Sequence, residues 1–141
     1  MCSSDLAAPL RAKKIRLLIA DDNPAMLQRV CTILKNRFDI LAAVPDGRDV
    51  LSQYATLMPD VIILDISMGR LNGLDVARTL RGKRCKVPIV FLTVHAGDDF
   101  VRAALSSGGL GYVVKSHLKS DLAPAIEAAM SGKIFVSSFA S

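Results

Sequence analysis

The chain has 141 residues, of which 51% are hydrophobic and 22% are charged, a composition typical of a globular domain with its own core. No apolar stretch approaches the roughly 20 residues that span a bilayer, and the N-terminus lacks the order of a signal peptide, so we expect a cytoplasmic protein without membrane contact. Three widely spaced cysteines argue against a zinc site, and a net charge of +5 without interleaved aromatic residues argues against single-strand nucleic-acid binding.

Apolar runs alternate along the chain with segments of helical periodicity. The runs are short and rich in Ile, Val and Leu, as in strands buried on both faces of a parallel sheet. The predicted strands cover residues 15–20, 40–44, 60–65, 88–93 and 111–115. The helices that follow them are predicted to begin near residues 24, 46, 73, 97 and 119. We interpret the basic stretch from Arg78 to Lys86 as a solvated helix end.

Repeated strand–helix units produce a parallel sheet with right-handed crossovers and helices on both faces. We therefore expect an α/β, flavodoxin-like (βα)5 fold, a doubly wound parallel sheet with strand order 2-1-3-4-5. Its ligand site should lie at the switch point between strands 1 and 3. The folded domain is predicted to cover residues 15–132, after a disordered leader at residues 1–14. Residues 133–141 are expected to form a C-terminal tail or the start of a linker.

Carboxylates follow two of the predicted strands at the point where each strand ends. Asp21 and Asp22 come directly after strand 1, and Asp65 ends strand 3. Because the carboxyl ends of parallel strands meet at one edge of the sheet, the three carboxylates should lie close together. They would repel one another unless a hard cation neutralised them, and Mg²⁺ prefers such oxygen ligands. The sequence therefore predicts a magnesium site.

Two further polar residues end strands 4 and 5. Thr93 offers a hydroxyl that can bind a phosphoryl oxygen, and Lys115 offers a point charge for the same group. A carboxylate such as Asp65 can act as a nucleophile and form an acyl phosphate. The combination indicates phosphoryl transfer, with the cation and the lysine offsetting charge.

These residues, in this order, resemble the receiver domain of bacterial two-component response regulators. The resemblance covers about residues 14–132, and residues 60–68 with Asn72-Gly73 are similar to the family's phosphorylation loop. It implies that Asp65 is the phosphoacceptor. It also implies that Asp22, Asp65 and the Ser67 carbonyl bind Mg²⁺ directly, while Asp21 acts through a water molecule.

Three motifs resemble the NarL/FixJ (LuxR-type) class of receivers: Leu-Asn-Gly-Leu at 71–74, Gly-Tyr-Val-Val-Lys-Ser at 111–116 and Gly-Lys-Ile-Phe-Val-Ser at 132–137. In that class the receiver usually precedes a helix-turn-helix DNA-binding domain. The resemblance implies a sensor histidine kinase as partner and transcriptional output through a DNA-binding domain that is not in this chain. It also implies a homodimer through the helix 4/strand 5/helix 5 face or the helix 1/helix 5 face.

The resemblance assigns further roles around Asp65. Thr93, Lys115 and the aromatic residue Tyr112 would respond to the phosphoryl group, with Tyr112 turning inward. Ser67 and His95 would flank that group and tune the lifetime of the acyl phosphate. Gly69 stands where the family usually has Pro, and because Gly frees the backbone that Pro fixes, we expect a more mobile loop with altered phosphorylation rate or metal affinity.

Two alternatives remain at this point. A degenerate or stand-alone receiver would act as an interaction module without phosphorylation, a possibility that Gly69 keeps open. A phosphatase with an aspartate nucleophile usually carries a second Asp two residues later, where this chain has Ser67. We therefore expect a signalling switch with self-phosphotransfer and slow autodephosphorylation, and not an enzyme of metabolism.

Overall fold

The structure is a computed structural model that describes residues 14–68, 71–94 and 97–137. It contains six parallel strands with helices on both faces of the sheet. The strands are β1 (Arg16–Ala20), β2 (Asp39–Val44), β3 (Val61–Asp65), β4 (Ile89–Thr93), β5 (Gly111–Val114) and β6 (Phe135–Val136). The helices are α1 (Pro24–Leu34), α2 (Gly47–Leu57), α3 (Gly73–Gly82), α4 (Asp98–Ser106) and α5 (Leu118–Met130), and a 3₁₀ turn covers Lys115–His117.

The strand order is β2-β1-β3-β4-β5-β6. The predicted α/β parallel sheet is confirmed, and its predicted order of five strands is incomplete. The additional strand β6 pairs with β5 through Gly111 with Phe135 and Tyr112 with Val136. With only two residues, β6 has no periodicity that a sequence pattern could detect, and it lies in the segment expected to be a tail or linker.

Each central strand is buried on both faces because helices cover the two sides of the sheet. In β1, Leu17 and Ile19 belong to the core beneath α1 and α5, while Leu18 and Ala20 belong to the core on the side of α2, α3 and α4. The same alternation continues through β3 and β4, whose ten residues are all buried. This two-sided burial explains the continuous apolar runs and fixes the strand ends that carry the polar residues.

Asparagine side chains begin two of the helices. Asn23 accepts a hydrogen bond from the backbone N–H of Met26 at 3.0 Å, and Pro24 is the first residue of α1. Asn72 accepts from the backbone N–H of Asp75 at 2.9 Å and begins α3. Because Asn23 caps α1, the acidic pair before it is not needed to start the helix.

Several predicted features lie outside the described part of the chain. These are the leader, apart from Lys14, together with Gly69 and His95. Within the described residues, no helix is long and apolar enough to cross a membrane.

The interpretation of the Arg78–Lys86 stretch as solvated is wrong for Arg81. Its guanidinium donates to the carbonyls of Cys85 at 2.7 Å and Val87 at 3.1 Å, ahead of β4, and to the carbonyl of Gly108 at 2.8 Å, after α4. Gly108 has a φ of +101°, as is common for a glycine that ends a helix. Arg81 therefore joins three chain segments at the end of the sheet opposite the acidic residues.

We predict that Arg81→Ala lowers the free energy of unfolding by about 2 kcal/mol, because three carbonyls lose a charged donor. Arg78→Ala is the matched control, since Arg78 lies three residues earlier on α3 and makes an exposed ion pair with Asp75. Its loss should cost less than about 0.5 kcal/mol. Urea denaturation measures both, and equal losses would contradict the role of Arg81.

Candidate functional site

The three predicted acidic residues converge at the carboxyl end of the sheet. Ala20 of β1 lies beside Leu64 of β3, so the next residues, Asp21 and Asp65, are neighbours. One carboxylate oxygen from each of Asp21, Asp22 and Asp65 lies within 4.8 Å of the others. Asp21 and Asp65 are buried, and Asp22 is exposed. The structure thus places two buried carboxylates and one accessible carboxylate in a single cluster.

Lys115 brings a positive charge into this cluster. Its Nζ lies 2.9 Å from Asp21 Oδ2 and 3.2 Å from Asp65 Oδ1. The backbone of Lys115 follows β5, two strands away from β3 in the sheet, so the ammonium reaches the carboxylates on the full length of its aliphatic stem. Only 11% of the side chain is exposed, which places the ion pairs in an environment where water screens them poorly.

Within the described residues, the ammonium of Lys115 contacts two of the three clustered carboxylates. Burial raises the pKa of Asp65, and the neighbouring charge of Asp21 raises it further. Lys115 and the backbone N–H of Ser67 act in the opposite direction without cancelling these effects. Burial would lower the pKa of Lys115, but hydrogen bonding and charge from the two aspartates outweigh it, so that pKa is raised. The surroundings of Asp65 therefore disfavour its charged form.

The donor set fits a hard divalent cation. Asp21 Oδ2 is fully buried, and the ammonium of Lys115 lies 2.9 Å from it. Asp21 Oδ1 accepts from the backbone N–H of Asn23 at 2.9 Å, which fixes the orientation of the carboxylate. A buried, oriented anionic oxygen beside two further carboxylates is the kind of site that oxygen-preferring cations occupy.

The loop after β3 donates a hydrogen bond to the Asp65 carboxylate. Ser67 donates its backbone N–H to Asp65 Oδ1 at 3.2 Å, while its own side chain is exposed. Ile66 and Met68, on either side, are buried in the core and anchor the loop. Ser67 is therefore beside the phosphoacceptor candidate, as predicted, and its carbonyl belongs to a loop that the core keeps in place.

Gly73 determines how closely α3 approaches Asp65. Its backbone N–H donates to the carbonyl of Ile66 at 2.9 Å. A Cβ at this position would lie 2.5 Å from the Asp65 carbonyl oxygen and 3.1 Å from the Ile66 Cα, both backbone atoms that cannot rotate away. The sequence identified Gly73 as the start of a helix and missed this contact. A glycine at the first position of a helix was the available signal, since glycine is a poor helix former.

Thr93 and Tyr112 form a second polar contact on the side of the sheet that faces α4. Tyr112 pairs with Phe91 on β4, and Thr93 lies two residues further along the same face. Thr93 is 1% exposed and Tyr112 is fully buried. Burial raises the pKa of Tyr112, and a hydrogen bond with Thr93 opposes the rise. The aromatic side chain is thus already inward, in contact with the threonine at the end of β4.

The structure brings most of the predicted site residues together. Asp21, Asp22, Asp65 and Lys115 share one cluster, Ser67 adjoins it, and Thr93 ends the strand next to β3 with Tyr112 packed against it. The roles assigned to them remain predictions.

We predict that Gly73→Ala lowers the free energy of unfolding by about 1–3 kcal/mol, because the added methyl overpacks against the backbone of Asp65 and Ile66. Gly82→Ala is the control at the other end of α3, where a Cβ would meet nothing within 4 Å. It should be neutral or stabilising by up to about 1 kcal/mol, as expected for glycine in a helix. Chemical denaturation compares the two, and a harmless Gly73→Ala would refute the close approach.

Comparisons with known proteins agree with this geometry. A family model described as the response regulator receiver domain matches residues 17–127. The transcriptional regulatory protein PdtaR of Mycobacterium tuberculosis is 35% identical over 117 residues, which are 82% of this chain and 57% of that protein. The uncharacterized transcriptional regulatory protein YxjL of Bacillus subtilis is 30% identical over 122 residues, which are 85% of this chain and 56% of that protein. The chain therefore spans just over half the length of these relatives.

Solved structures give the same result. A LuxR-family two-component response regulator from Aurantimonas sp. SI85-9A1 superposes with a TM-score of 0.82 at 25% identity, covering 87% of this chain and 89% of that one. A LuxR-family DNA-binding response regulator from Staphylococcus aureus gives a TM-score of 0.76 at 26% identity, covering 82% and 98%. The chain belongs to the receiver domain family of two-component response regulators, and the predicted resemblance to its LuxR-type members is confirmed.

Proposed function

We propose that this receiver domain is a phosphorylation-dependent signalling switch in which Asp65 accepts a phosphoryl group from a sensor histidine kinase. The observation that carries the proposal is the position of Asp65: a buried carboxylate at a strand end, 3.2 Å from the ammonium of Lys115 and beside two other carboxylates. The candidate nucleophile Asp65, the ammonium of Lys115 and the candidate metal ligands meet there at the edge of one sheet.

The transfer would use the oxygen of Asp65 that is not already engaged. Lys115 Nζ and the Ser67 N–H both contact Oδ1, which leaves Oδ2 for the incoming phosphorus. As the new O–P bond forms, the P–N bond to the kinase histidine breaks, and the imidazole leaves with a proton. The product is an acyl phosphate on Asp65.

The surrounding residues would offset the charge of the transferring group. Asp21, Asp22 and Asp65, with the Ser67 carbonyl, would hold Mg²⁺, which when bound neutralises part of the phosphoryl charge. Lys115 is held between two carboxylates and can exchange one of these contacts for a phosphoryl oxygen as charge builds there. Its buried position strengthens that interaction relative to water.

Thr93 and Tyr112 would report the state of Asp65 to the surface. A phosphoryl group on Asp65 would draw the Thr93 hydroxyl toward it and change the hydrogen bond that Thr93 shares with Tyr112. The buried Tyr112 shows that the inward rotamer fits the core, so the switch would shift the population between inward and outward rotamers. The affected surface is the α4/β5/α5 face.

The proposed output is control of transcription. The relatives PdtaR and YxjL are transcriptional regulators by name, and the structural relative from Staphylococcus aureus is a DNA-binding response regulator. The output domain would lie outside this chain, and the domain would dimerise through the α4/β5/α5 face or the α1/α5 face. Autodephosphorylation would be slow, with its rate set at Ser67, Gly69 and His95.

We predict that the chain, incubated with acetyl phosphate and Mg²⁺, gains one phosphate by intact mass, and that Asp65→Asn abolishes the adduct. Removal of Mg²⁺ with a chelator should suppress it as well. The control is Asp39→Asn, because Asp39 is an exposed carboxylate at the start of β2, away from the cluster; it should be phosphorylated like the wild type.

The alternatives give different results in the same experiment. No adduct in the wild type would favour a receiver that acts without phosphorylation. Continuous hydrolysis of phosphate esters would favour a phosphatase. An adduct that persists in Asp65→Asn would show that another residue is the acceptor.

A further inference from the structure

Where β6 ends, a side chain replaces the backbone as the hydrogen-bond partner of β5. The backbone N–H groups of Phe135 and Ser137 donate to the carbonyls of Leu110 and Tyr112, each at 2.8 Å. The N–H of Val114, one residue pair further on, donates to the hydroxyl of Ser137 at 3.0 Å instead of to a backbone carbonyl. Ser137 is 2% exposed, so this contact is made inside the protein.

Ser137 also forms a hydrogen bond with α5. Its hydroxyl donates to Asp121 Oδ2 at 2.7 Å, and Asp121 lies in the first turn of α5. The other oxygen of Asp121 accepts from the Ser120 hydroxyl at 3.0 Å, and His117 Nδ1 lies 3.7 Å from Oδ2. Ser137 thus accepts from the last residue of β5 and donates to the beginning of α5.

Lys115 lies between these two attachment points. It directly follows Val114, and the 3₁₀ turn that it begins leads into α5. The Ser137 hydroxyl therefore binds the backbone N–H just before Lys115 and, after it, the side chain of Asp121 in the first turn of α5. The Lys115 side chain extends from the end of β5 to carboxylates two and three strands away. The position of its ammonium therefore depends on where the Lys115 backbone is held.

We propose that Ser137, held by Asp121, is a positioning residue for Lys115, and that it couples the segment containing β6 to the charge state of the acidic cluster. This inference rests on the proposed function, in which Lys115 offsets phosphoryl charge. Coupling between sites is reciprocal, so displacement of β6 loosens Lys115, and withdrawal of Lys115 from the cluster loosens Ser137.

The test compares Ser137→Ala with Ser120→Ala in the full chain. Both variants remove a hydroxyl that contacts Asp121, but only Ser137 contacts Val114. In Ser137→Ala we expect the Val114 amide to exchange faster and the acetyl phosphate reaction to slow, each by a factor of roughly three to ten, the size that one lost hydrogen bond supports. Mg²⁺ alone, titrated by calorimetry, should bind more tightly, because Lys115 competes less well for Asp21 and Asp65.

Slower transfer together with tighter Mg²⁺ binding is a pair of changes that general loss of structure does not produce. Ser120→Ala should match the wild type in all three measurements, and Ser137→Thr, which keeps a hydroxyl, should move them back toward the wild type. Unchanged or weaker Mg²⁺ binding in Ser137→Ala, with a faster Val114 amide, would overturn the proposal. If the wild type accepts no phosphate, the proposed function fails, while the Mg²⁺ and exchange measurements still decide the role of Ser137.

Discussion

The site depends on one cation shared by two buried carboxylates. Lys115 contacts Asp21 and Asp65, and Asp22 lies in the same cluster. The parallel sheet imposes this crowding, because β1 and β3 are neighbours and both end in aspartate. The charge is tolerated because two apolar cores, one on each face of the sheet, stabilise the fold independently of the site. The result is a crowded anionic cluster, whose stability would change with a bound divalent cation or with the position of Lys115.

The residues that hold this cluster in place are not themselves charged ligands. Gly73 lets the start of α3 approach the backbone of Asp65, and Ser137 accepts a hydrogen bond from the backbone N–H of Val114, next to Lys115. Each contacts backbone at or next to a functional residue. A small displacement of that backbone would move the end of the functional side chain further. Thr93 and Tyr112 lie on the neighbouring strands and share a hydrogen bond, so a change at Asp65 has a short route to the α4 side of the sheet. The buried strands are thus apolar, while the polar contacts that a phosphoryl group could change lie at the strand ends.

The parts of this arrangement that sequence predicts are those with local signals. The apolar runs and the helical periodicity identify strands and helix starts, and the rule for parallel sheets then brings Asp21, Asp65 and Lys115 to one edge. The parts it misses depend on contacts between distant segments. Arg81 looks like one residue of a basic run, yet it binds three carbonyls from two other segments. The pair of Ser137 with Asp121 and the strand β6 are equally invisible, since their partners are set only when the chain has folded.

The most direct test of the central claim is the pH dependence of the unfolding free energy of the wild type and Asp65→Asn, measured with a chelator present. Burial and Asp21 raise the pKa of Asp65 above its ordinary value of 3.8. The stability that neutral Asp65 allows is therefore fully present below that ordinary value and is lost as the pH rises through the raised pKa. We predict that Asp65→Asn is more stable than the wild type at neutral pH and that the difference shrinks in acid. A variant that is equally or less stable at neutral pH would contradict a site that disfavours the charged form of Asp65.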